Sequence, residues 1–279
     1  MNLDFKKAFK DIFNLKYFWV YLFIFTVITS LSTILQSAKG VPYNSLIANI
    51  LSVVTYVSFG YLYLAVNNLL NDKELNNEDE TFFENLWCST KKGLKCFVGI
   101  LTNTFIGFFC SALFAIICVF IFIKKTGTMI TENNLFSYPI LIAIFAVLAV
   151  LLTIYMLFVL KLLPIAYSEN FSLKTMFCWR KVLKRFFKKG NTKNTFKIIG
   201  LYFLTVITLF LMLFLVMFLF NLIVVYSIKT LLVNHYLIAA FLLNISAVIT
   251  PFIAGMLNYI ISAVTYHLLG QIYKNKIEE

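Results

Sequence analysis

The sequence predicts an all-α protein: a polytopic bundle of six membrane-spanning helices, built from three pseudo-repeats of an amphipathic helix plus a helical hairpin, with both termini cytoplasmic. Three observations predict it. Of 279 residues, 61% are hydrophobic and 13% charged, with a mean hydropathy of +0.88, against about 45–50% and about 25% in ordinary soluble domains. Apolar runs recur along the whole chain, each longer than the roughly 18 residues needed to cross about 30 Å of hydrocarbon. The 24 Lys and Arg, set against 12 Asp and Glu, cluster between alternate runs. An aromatic content of 18% also excludes a disordered chain, which would be poor in such residues.

The runs fall at approximately Tyr17 to Gln36, Leu46 to Leu70, Phe97 to Ile123, Tyr138 to Ser168, Ile198 to Ile228 and Leu237 to Gly270. They are continuous rather than alternating, which indicates helices and not barrel strands. The first is preceded by Lys6, Lys7, Lys10 and Lys16; its apolar stretch is too long for a signal-peptide core, so it is expected to stay as an anchor. The last three runs exceed the hydrocarbon slab and require tilt or cytoplasmic extension.

A basic stretch precedes each pair of spans. Phe5, Phe9, Ile12 and Phe13 share one helical face, with Lys6, Lys7 and Lys10 elsewhere. The second stretch opens on Thr81-Phe82-Phe83-Glu84, a capping box in which hydroxyl and carboxylate satisfy each other's backbone donors. Phe83, Leu86, Trp87 and Leu94 then form its apolar side. The third starts at Ser172, an expected N-cap, and alternates Met176, Trp179, Leu183 and Phe186 with Arg180, Lys181, Lys184, Arg185, Lys188 and Lys189. Such helices lie in the membrane interface with cations toward the headgroups. The repeats span 1–78, 79–169 and 170–279 of a single integral membrane domain, with a solvated acidic linker over Asn71 to Glu80.

Charge sorts these segments. Nineteen Lys and Arg fall on the side holding both termini and four (Lys39, Lys124, Lys125, Lys229) on the other, so that side is cytoplasmic. The outer loops are short and leave no room for a sizeable extracellular domain.

The spans hold little that could do chemistry. They contain no Asp or Glu, and Lys161 is their one charged residue, which weighs against a proton relay. Lys161, close to Pro164, is either a lysine reaching for the cytoplasmic boundary or a headgroup contact. Gly99, Asn103, Gly107, Ser111 and Ala115 recur every four residues as a close-packing stripe. Asn244, Ala247, Pro251, Gly255, Asn258 and Ser262 mark one face of the last span, with a kink expected at Pro251. Together the two faces form either a helix-packing seam or a polar path. His235 and His267 lie too far apart to share a metal, the five cysteines show no paired spacing, and no nucleotide-binding or hydrolase motif occurs. No metal or cofactor is expected, nor a nucleic-acid partner.

Phe59-Gly60-Tyr61, Val66-Asn67-Asn68-Leu69-Leu70, the acidic linker, and Phe83 to Gly93 with Lys91 and Lys92 follow an order of features that resembles an uncharacterised prokaryotic family. Its six-span members are similar in style to the membrane domains of some glycerophosphodiester phosphodiesterases. The resemblance covers about 40 residues and implies a six-helix bundle in a bacterial or archaeal plasma membrane. It carries over no activity and no functional residues.

The expectation is therefore a non-enzymatic plasma-membrane protein whose basic helices bind anionic lipids of the cytoplasmic leaflet and support a protein partner or a homo-oligomer. The competing reading is a permease, or a transport-system subunit, for a lipid-like or small apolar substrate moving past Asn103, Asn244 and Asn258. A third, an enzyme acting on lipid headgroups, rests on Lys161 and His267.

Overall fold

The computed structural model describes residues 3–37, 44–73, 81–127, 139–188, 190–230 and 236–274. Every described element is a helix: α1 (Phe5–Phe13), α2 (Phe18–Ser37), α3 (Asn44–Leu70), α4 (Phe82–Thr126), α5 (Pro139–Leu157), α6 (Leu163–Ser168), α7 (Leu173–Phe177), α8 (Trp179–Phe186), α9 (Thr192–Thr230) and α10 (Tyr236–Lys274). Among the described residues six stretches are long and apolar enough to cross a membrane: Phe18–Gln36, Asn44–Leu70, Phe82–Lys124, Pro139–Ser168, Thr192–Met212 and Val248–Lys274. The chain is thus a multi-pass helical membrane protein.

Local chemistry accounts for the helix ends. The capping box forms: the Thr81 N–H and hydroxyl both donate to Glu84 Oε2 (3.0 and 2.8 Å), while the Glu84 N–H points back at Thr81 Oγ1 (3.4 Å). From it α4 runs unbroken for 45 residues, about 68 Å at 1.5 Å per residue, so the second basic stretch and the following span are one helix. The third basic stretch, expected as a single helix from Ser172, is instead broken at Cys178. Its backbone leaves the helical region (φ −88°, ψ 54°), and its N–H turns back to the Thr175 carbonyl, separating α7 from α8. Between α5 and α6 the chain widens into one π-helical turn, Phe158–Leu162, in which the Leu163 N–H reaches the Phe158 carbonyl. Pro164, in the first turn of α6, has no N–H to give. α10 continues through Pro251.

The chain divides into two compact units, 1–94 with 183–279, and 95–182. In the first, α2 packs on α3 and α10, and α10 on α9. Its centre is aromatic. Tyr21 stacks on Tyr61 (4.3 Å between centroids), and the Tyr21 hydroxyl donates to Asn85 Oδ1 (2.9 Å) and lies 3.1 Å from Ser89 Oγ. The Tyr259 hydroxyl donates to the Ser58 carbonyl (3.0 Å). The polar atoms of these tyrosines are paired inside the bundle, as hydrocarbon requires. α3 and α4 cross at Gly60 and Gly93, where a Cβ on Gly60 would stand 2.8 Å from the Gly93 nitrogen. The absence of both side chains allows backbone to meet backbone.

In the second unit the early part of α4 packs on α5 and α7. Gly99 lies beneath Met176 and Leu173, Gly107 against the Tyr155 ring, and the Lys95 ammonium donates to the Phe171 carbonyl (2.8 Å).

Candidate functional site

One end of the first unit gathers charge. α1, the start of α2, the end of α3, the start of α9 and the end of α10 meet there, and α8 reaches it through Arg185 and Phe186, which pack on Tyr273. α1 is held by polar contacts. Asp4 caps it, accepting from the Lys7 N–H (2.7 Å). Gln271 reads the Asp4 backbone with both ends of its amide: Oε1 accepts the Asp4 N–H (3.3 Å) and Nε2 donates to the Asp4 carbonyl (3.2 Å). That orientation turns the amide N–H toward His267 Nδ1 (3.3 Å), which must accept, so the imidazole proton sits on Nε2. Nε2 faces Asp11 Oδ2 at 3.2 Å, an electrostatic contact rather than a well-directed hydrogen bond. His267 is 3% exposed and Asp11 17%, so the pair is largely shielded. At the same end Lys274 pairs with Asp72, joining α10 to the end of α3.

Several cations of this end lie over rings: Lys16 on Tyr17 (5.3 Å), Arg185 on Tyr273 (4.6 Å), Lys197 on Phe5 (5.9 Å) and, in the first turns of α4, Lys91 on Trp87 (4.6 Å). Phe83 and Trp87 are exposed beside them. α8 is two-faced: Val182 and Phe186 are buried, and Arg180, Lys181 and Lys184 are exposed. Arg185 and Lys188 are half-buried, whereas Lys189 lies outside the described residues.

The remaining candidates occupy different settings. Lys161 is buried, at 9% exposure, in the π-helical turn. Asn103 is fully buried, and its side chain is used within its own unit: Nδ2 donates to the Gly99 carbonyl (2.8 Å) and Oδ1 accepts from Trp179 Nε1 (2.8 Å). The Tyr155 hydroxyl donates to the Asn103 carbonyl (2.7 Å). Ser111 continues the less exposed face of α4 beyond Gly107. Gly255 admits the Thr29 hydroxyl of α2. Pro251, Gly255 and Asn258 border a groove of about 510 Å³ with Thr29, Thr33 and Phe210, and Asn258 is exposed in it. The Asn244 side chain and His235 lie outside what is described. A second cavity, about 260 Å³, lies between α1, α9 and α10.

The sequence reading missed the α1 clamp, although Asp4 and Asp11, seven residues apart in a basic segment, share a helical edge and so signal a partner. Among the described residues no three His, Cys, Asp or Glu side chains come together as a metal site would require. Compared with protein-family models, curated proteins and solved structures, the chain matches none of them.

Proposed function

We propose that the chain is an integral plasma-membrane protein of a bacterial or archaeal cell whose basic end faces the cytoplasm and holds anionic lipid headgroups, serving as a base for a protein partner or a second copy. The observation that carries this reading is the convergence of α1, the start of α9, the end of α10 and the Arg185–Phe186 end of α8 on one end of the first unit, where Arg185 and Lys197 lie over the Tyr273 and Phe5 rings and the exposed Phe83 and Trp87 accompany Lys91 at the start of α4. Interfacial segments place apolar rings at the acyl boundary and cations at the phosphates. Each cation near an anionic leaflet is worth about 1 kcal/mol before screening. The same end carries the residues that the positive-inside rule assigns to the cytoplasm, and α1, the first turns of α4, and α8 stand as the leading elements of three repeats. The likeness of the Phe59 to Gly93 segment to a six-span prokaryotic family accords with this reading and adds no activity.

The test is lipid selectivity around the reconstituted protein. With spin-labelled phosphatidylglycerol and phosphatidylcholine, the wild type should favour the anionic lipid, and salt should weaken the preference. Replacing Arg180, Lys181, Lys184, Arg185 and Lys188 together by Gln should reduce it. Equal selectivity in the variant removes the reading.

One observation favours a second reading, a permease for a small apolar or lipid-like substrate: the exposed Asn258 amide in its groove. Asn258→Leu should then abolish movement while the protein remains folded, and unchanged movement removes it.

A further inference from the structure

α1 carries charge on two edges, with Lys7 beside its acidic one. At 100° per residue Asp4 and Asp11 fall on one side of the apolar strip formed by Phe5, Ala8, Phe9 and Ile12, and Lys6 and Lys10 fall on the other. The acidic edge is engaged by α10 through Gln271 and His267. On the other side Phe5 and Phe9 line the cavity of about 260 Å³, whose further walls include Leu201 and Thr205 of α9 and Val264 and Leu268 of α10. Lys197 lies 5.9 Å from the Phe5 ring, and Lys6 and Lys10 fall on the α1 edge next to Phe9.

We propose that this cavity binds one acyl chain of an anionic phospholipid, with the lipid phosphate among Lys197, Lys6 and Lys10. The inference rests on the reading that this end faces the anionic leaflet. The walls ask for an apolar guest, since the Thr205 hydroxyl already donates to the Leu201 carbonyl (2.7 Å). The volume of about 260 Å³ lies below the roughly 300–1,000 Å³ of pockets that enclose drug-sized ligands, so it takes in part of one narrow chain and leaves no room for a bulkier guest. From Leu268 to Ile261 the cavity follows α10 for seven residues, about 10 Å at 1.5 Å per residue. The slot therefore runs along the bundle from the basic end, in the direction a lipid tail takes. Lys197 beside Phe5, with Lys6 and Lys10 on the α1 edge next to Phe9, complements a phosphate and repels the choline of a zwitterionic lipid. α1, held on its acidic edge, is the wall that closes the site.

The test uses the full chain from nanodiscs of equal phosphatidylglycerol and phosphatidylcholine with identical acyl chains, stripped stepwise in detergent and weighed by native mass spectrometry. The wild type should retain one phosphatidylglycerol after the rest has gone. Thr205→Phe, which fills the cavity from an exposed position, and Lys197→Gln should each lower that occupancy about tenfold. Thr205→Ala should leave it unchanged and Lys197→Arg should restore it, and the lysine pair decides if the Phe variant does not fold. Wild-type retention in Thr205→Phe and Lys197→Gln, with anionic selectivity still lost in the α8 variant, overturns the cavity site and leaves the leaflet reading standing. No effect in any variant overturns both, and equal retention of the two lipids overturns headgroup selection and with it the proposal.

Discussion

Gly60 and Gly93 meet across the α3–α4 crossing so closely that a Cβ on Gly93 would come 3.2 Å from the Gly60 Cα and 2.8 Å from the Tyr56 carbonyl carbon. The obstructing atoms are backbone, which has no rotamer to change, so the helices themselves would have to part. Their approach also positions Asn85 and Ser89 of α4 against the Tyr21 hydroxyl. The crossing and the buried tyrosine network are one structural unit.

Gly60→Ala or Gly93→Ala should therefore destabilise the protein by about 1–3 kcal/mol, the usual cost of overpacking. Gly200 is the contrast: nothing lies within 4 Å of a Cβ placed on it, and Gly200→Ala in α9 should gain up to about 1 kcal/mol of helix propensity. Thermal unfolding in one detergent should show the first two melting below the wild type and the third level with it or above.

Removing His267 should loosen α1 before it affects the bundle. His267→Ala takes away the partner of Asp11 and the acceptor of the Gln271 amide, a loss of about 1–3 kcal/mol for largely buried polar groups left unpaired. Limited trypsin digestion at Lys6, Lys7 and Lys10 should accelerate in His267→Ala and in Gln271→Ala, with little change in cleavage elsewhere. Cleavage as slow as in the wild type would contradict the clamp.

Asn103 and Asn258 should respond differently to the same change. Asn103→Leu leaves the half-buried Trp179 Nε1 without its acceptor and should cost about 1–3 kcal/mol, with a shift in tryptophan emission. Among the described residues no hydrogen bond to the Asn258 side chain is seen, and it is exposed. Asn258→Leu should leave the melting temperature unchanged.

The six spans could be read from the sequence because an apolar run longer than the bilayer has one solution in lipid, and each predicted run overlaps a described helix long and apolar enough to span the membrane. The α4 capping box was legible for a similar reason, since Thr81 and Glu84 need only each other. Gly60 and Gly93 are plain in the sequence, yet a glycine does not announce which backbone it will meet. The tertiary contacts of His267 were hidden likewise, because its partner Asp11 is 256 positions away and their meeting depends on how α1 folds back on α10. The break at Cys178 had no such signal, as nothing in Thr175-Met176-Phe177-Cys178 is a helix breaker.

The claim on which the account depends is that α1, α8, the start of α9 and the end of α10 form the cytoplasmic end. In a background with the five native cysteines replaced, Lys188→Cys puts one thiol in the basic segment after α8, and Lys124→Cys puts one near the C-terminal end of α4, on the side that the charge count assigns to the outside. With a membrane-impermeant maleimide added to intact cells, Lys124→Cys should label at once and Lys188→Cys only after the membrane is opened. The reverse pattern would turn the basic end outward and contradict the account.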